Sequence, residues 1–112
     1  MYTTTLAAKI LEAYHIHSSI SSRDIHDFKL YNAQRYAFTK ILSFSYRGRT
    51  FYVSNDYSLN DDPEYLKDVI RDINPLVTGY AIRNPTPQSD GATYALGLDG
   101  VEYYLWEDSP RT

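Results

Sequence analysis

Apolar residues recur at Leu6, Ala7, Ile10, Leu11 and Tyr14, the spacing of one helix face, and predict an amphipathic helix over residues 4–14. Thr3, Thr4 and Thr5 each offer a side-chain oxygen for its first free amides. The period is lost over residues 15–20, which read as a connector with room for a short strand. Ser21 or Ser22 then supplies an N-cap and Asp24 negative charge in the first turn, so a short helix is expected over residues 23–28 with Ile25 and Phe28 inward. After a link at residues 29–31, Asn32 can cap a third helix reaching Ile41. Ala33, Tyr36, Ala37 and Ile41 would share one side of it, Arg35 and Thr39 the other, with Gln34 and Phe38 at the margins.

The period then changes from helical to alternating. Leu42, Phe44 and Tyr46 alternate with Ser43 and Ser45, Arg47-Gly48 makes a turn, and residues 49–53 return as a strand. Arg-Gly is a weaker hairpin signal than Asn-Gly. Residues 54–61 are polar and read as a loop. Asp61 or Asp62 can cap the next helix, with Pro63 at its first position, where a missing N–H leaves no bond unmade. Leu66, Val69, Ile70 and Ile73 form the clearest apolar stripe in the chain and are expected to be buried. Asn74-Pro75 ends that helix. Residues 76–83 read as a strand and residues 84–91, rich in Pro, Gly and Asn, as a loop. Tyr94, Leu96 and Leu98 alternate, and Asp99-Gly100 makes a two-residue turn into a strand over residues 101–106. The elements together predict an α+β fold: N-terminal helices and a β-hairpin packed with a further helix and antiparallel strands.

With 112 residues the chain holds one domain, residues 1–112, and one modest core. No apolar run approaches the roughly 18–20 residues of a membrane span. The chain has no cysteine, which removes disulfides and thiolate zinc sites together, and a cytoplasmic setting is expected. The net charge of −3 hides an asymmetry. Residues 1–55 hold seven bases against three acids, a net of +4, and residues 56–112 hold four against eleven, a net of −7. Such a split points to an anionic partner for the first lobe.

The succession helix, connector, helix, turn, helix, hairpin over residues 4–54 resembles a winged helix-turn-helix. The residues behind the resemblance are Ile20-Ser21-Ser22-Arg23-Asp24-Ile25 at the start of a second helix, residues 32–41 as a recognition helix, and residues 43–53 as a wing. The resemblance implies a small regulator bound to double-stranded DNA. Gln34, Arg35 and Thr39 would reach the major groove, and Arg23, Lys29, Arg47 and Arg49 would neutralise phosphates. The turn departs from the family pattern, since Lys29-Leu30-Tyr31 stands where glycine is usual.

Other constellations are less specific. The twelve tyrosines suit half-buried strands and protein interfaces as well as base stacking. His15 and His17 lie two residues apart and His26 further on, without the partners of a zinc site. Asn55, Asp56, Asn60, Asp61, Asp62 and Glu64 lack the spacing of a calcium loop and read as helix caps and solvated loop. No nucleophile elbow or phosphate-binding glycine loop occurs, so neither an enzyme nor a cofactor is expected. A second reading follows from size, lack of cysteine, tyrosine-rich strands and an acidic second lobe. It is a non-enzymatic, protein-binding inhibitor or adaptor of the phage or mobile-element kind, for example an anti-defence (anti-CRISPR-like) protein. Homodimerisation is compatible with both.

Overall fold

A threonine hydroxyl starts the first helix. In the computed structural model, which describes residues 3–14, 19–33, 39–73, 82–83 and 100–108, helix α1 spans Thr4–Ala13. Thr3 Oγ1 accepts the Leu6 N–H at 3.1 Å, so Thr3 is the cap among the three candidates. Leu6, Ala7, Ile10, Leu11 and Tyr14 are all buried, as their spacing predicts. Two polar bonds anchor the end of the helix. Glu12 Oε1 accepts the Ile20 N–H at 2.9 Å, and the Tyr14 hydroxyl donates to the Tyr103 carbonyl at 2.8 Å.

The second expected helix shrinks to one 3-10 turn, Ser22–Asp24. Ser21 Oγ accepts the Arg23 N–H, and Asp24 Oδ2 accepts the Ser21 N–H, a reciprocal cap as the serine and aspartate suggest. The chain then extends at Ile25 and enters strand β1, His26–Ala33. The third expected helix gives way to strand at both of its described ends, residues 34–38 lying outside the described residues. Asn32 and Ala33 end β1, and Thr39, Lys40 and Ile41 begin strand β2, Thr39–Tyr46. Tertiary pairing explains both changes. Isolated helices as short as 23–28 and 32–41 are marginal in water, whereas β2 offers β1 a ladder running from Leu30↔Leu42 to Ala33↔Thr39. Local propensity gives way to that pairing.

Strand β3, Arg49–Ser54, completes the expected hairpin, with Tyr46 opposite Arg49 across a two-residue turn. Arg47 and Gly48 both have positive φ, 50° and 75°, as the twist of such a hairpin demands. The polar stretch expected as a loop contains helix α2, Tyr57–Asp61. Asp56 Oδ1 caps it by accepting the Ser58 N–H at 2.9 Å, and Leu59 anchors it in the core. Helix α3, Pro63–Ile73, follows, with Asp62 Oδ1 accepting the N–H groups of Glu64 and Tyr65. Leu66, Val69 and Ile70 are buried; the Ile73 side chain lies outside the described residues.

Strand β4, Ile82–Arg83, is the described part of the strand expected over residues 76–83. Strand β5, Tyr104–Asp108, begins three residues later than expected. The first arm expected at residues 92–98 and Asp99 lie outside the described residues, and Gly100 has φ 80°. The sheet order is β1-β2-β3-β5-β4, and every pairing is antiparallel.

Helices cover both faces of this sheet. On the first, α1 packs on Leu42, Phe44, Tyr46, Phe51, Val53, Tyr103 and Leu105. On the second, Leu59 of α2 and Leu66, Val69 and Ile70 of α3 pack on Ile41, Tyr52, Tyr104 and Trp106. Consecutive residues of β3 and β5 are therefore buried, and even Ser43, on the polar side of its strand pattern, is buried. The class is α+β. Among the described residues, no helix is long and apolar enough to cross a membrane.

Candidate functional site

The described cations expected at a nucleic-acid surface lie on separate elements. Arg23 sits on the 3-10 turn and Lys29 on β1, both exposed. Lys29 faces Ser43, four residues along β2 from Arg47, a separation of roughly 13 Å at strand rise. Gln34 and Arg35 lie outside the described residues, as does the side chain of Thr39, whose backbone opens β2 opposite Ala33.

The two arginines of the hairpin have different fates. Arg47 is exposed at the turn, its guanidinium 5.4 Å from the centre of the Tyr46 ring. Arg49 turns back onto the protein. Its Nε and Nη2 donate to the two carboxylate oxygens of Glu107 on β5, at 2.7 and 2.9 Å, while the guanidinium lies 5.1 Å over Phe51. Glu107 is only 5% exposed, so this bidentate pair satisfies a carboxylate that burial would otherwise penalise. The hydrogen bonds to Glu107 raise the Arg49 pKa further. Arg49, assigned to phosphate contact by the winged-helix resemblance, is thus paired within the protein. The sequence gives no cue to this, because Glu107 stands 58 residues away.

Other polar clusters are also structural. Asp56 and Asp62 cap helices, and Asp27 Oδ2 accepts the Ser45 hydroxyl at 3.2 Å. Among the described residues no group of three His, Cys, Asp or Glu side chains is placed to hold a metal. His26 is exposed, and His15 and His17 lie outside the described residues.

The outer edge of β1 is the feature sequence patterning missed. β1 ends the sheet, and among the described residues no strand pairs its outer side. Leu30 is 45% exposed, a large apolar side chain on an edge whose neighbours Lys29 and Asn32 are exposed too. The ladder breaks between His26 and Lys29, where Asp27 adopts φ 53°, so the first part of the strand bulges and residues 29–33 remain regular. Leu30 shares the first face with Leu42, while Lys29 and the half-buried Tyr31 share the second with Ser43 and Ile41. Comparison of the chain with protein-family models, curated proteins and solved structures gives no match.

Proposed function

We propose that this protein is a non-enzymatic binding module of the inhibitor or adaptor kind, which engages another protein through the edge of β1. The observation that carries the reading is Leu30, exposed in the regular part of a strand whose outer backbone groups have no partner strand among the described residues. Edge strands are usually blunted, and one that keeps a regular, partly apolar segment is a template for strand addition. What favours a protein over duplex DNA is the fate of the basic residues. Arg49 is held by Glu107, and residues 32–33 and 39–41 are strands where a groove-reading helix was expected.

Affinity capture from an extract of the source cells tests the reading, using the wild type, Leu30→Lys and a control, Asp68→Lys, on the exposed side of α3. A protein retained by wild type and control but lost from Leu30→Lys is expected. Retention of duplex DNA at about 50 mM salt, unaltered by Leu30→Lys, would instead favour the winged-helix reading.

A further inference from the structure

We propose that residues 29–33 of β1 take an extended acidic segment of the partner protein as an added strand. Its carboxylate side chains would face Lys29, and apolar side chains on its other side would cover Leu30. The inference rests on the protein-binding reading above and specifies the chemistry of the partner.

Strand addition fixes which side chains meet, because directly opposed residues project from the same face. On the second face the incoming strand meets Lys29, which is exposed and has no ion-pair partner among the described residues. Tyr31 lies two residues on and offers a half-buried ring. On the first face it meets Leu30 and then Asn32, with the exposed Lys40 directly across from Asn32 on β2. At the edge strand itself Lys29 and Tyr31 thus line the second face and Leu30 and Asn32 the first, with Lys40 one strand further in. The complement is a strand with carboxylates and apolar residues in alternation.

The same charges argue against a second copy at this edge. Paired antiparallel about Leu30, the second copy would set its Tyr31 opposite Lys29. Paired about Tyr31 it would set Ala33 there, and paired about Lys29 it would oppose two lysines. The register that brings Asp27 opposite Lys29 runs through the bulge, where Asp27 has left the ladder with φ 53° and its carboxylate bonds Ser45. Residues 34–40 add Arg35 and Lys40 and no acid. No regular self-pairing gives Lys29 a carboxylate.

The test is a residue-resolved NMR titration of the full chain with a capped peptide of alternating glutamate and valine, beside its lysine–valine counterpart. Saturable shifts in the amides of residues 29–33 with the glutamate peptide are expected. Lys29→Glu should weaken that peptide by roughly three- to tenfold and improve the lysine peptide, as reversal of an exposed pair allows. Leu30→Lys should weaken both peptides. Because both side chains are exposed, each variant keeps the wild-type spectrum away from β1, which verifies that it folds. Shifts centred elsewhere, or equal affinity for both peptides, overturn the inference. Concentration-dependent shifts of β1 without peptide overturn it in favour of a second copy. If the glutamate peptide fails while a captured protein still depends on Leu30, the acidic segment is wrong and the binding reading stands. If nothing depends on Leu30, both fall.

Discussion

Tyr14 joins the C-terminal end of α1 to the approach to β5, and burial perturbs its hydroxyl. Burial raises its pKa from 10.0 to about 12 because the phenolate cannot be hydrated there. The folded state therefore holds this proton more tightly than the unfolded chain. Its contribution is complete below pH 10 and is lost as pH rises toward about 12, up to on the order of 2–3 kcal/mol. Melting temperatures across that window should fall more steeply for the wild type than for Tyr14→Phe, which has no proton to lose. Parallel curves would show that the hydroxyl is hydrated. Arg49 makes a second residue-scale prediction. Arg49→Met leaves the buried Glu107 carboxylate without its donors, and chemical denaturation should record a loss of about 1–2 kcal/mol, moderated by the partial exposure of the arginine. Arg47 works in the opposite sense. A long side chain at φ 50° is strained, whereas asparagine's short polar one tolerates that region, so Arg47→Asn should stabilise the hairpin by about 0.5–1 kcal/mol.

Between residues and molecule, the elements divide by how far their formation depends on distant partners. α2 is a test, because Leu59 is the buried apolar residue among its described side chains: Leu59→Ala should cost about 2–5 kcal/mol in denaturant unfolding, comparable to Ile70→Ala in α3. A much smaller loss at Leu59 would mean that the Asp56 cap, not the core, holds the turn. At Gly100 an added β-carbon meets nothing within 4 Å, yet φ is 80°, so Gly100→Val should destabilise by about 1 kcal/mol through backbone strain alone. α1, α3 and the β2–β3 hairpin were legible because each carries its own signal: a cap, an apolar stripe, or alternation around a turn. β1 was not, because Phe28, Lys29, Leu30 and Tyr31 show neither period clearly, and its identity comes from the ladder to β2. Serine and aspartate near residues 21–24 did encode a helical start, but one that stops after a turn. The Arg49–Glu107 pair was invisible for the same reason as β1, since sequence patterns report neighbours a few residues apart.

For the whole molecule, the consequence is a sheet covered on its faces and open at its edges among the described residues. Both faces are covered by helices, β5 is flanked on both sides, and β1 closes one end with its outer side unpaired among the described residues. The exposed Lys29 and, one strand in, Lys40 favour approach of acidic segments to that edge, and their effect on association rate should weaken with added salt. The most direct measurement is photo-cross-linking in the source cells from a photoreactive residue placed at Asn32, exposed on β1, with the same residue at Asp68 on α3 as control. Strand addition at β1 predicts a protein adduct from position 32 alone, mapping by mass spectrometry to an extended, acid-rich segment and vanishing when Leu30→Lys is added. Adducts to nucleic acid from position 32, or protein adducts equally strong from position 68, would contradict it.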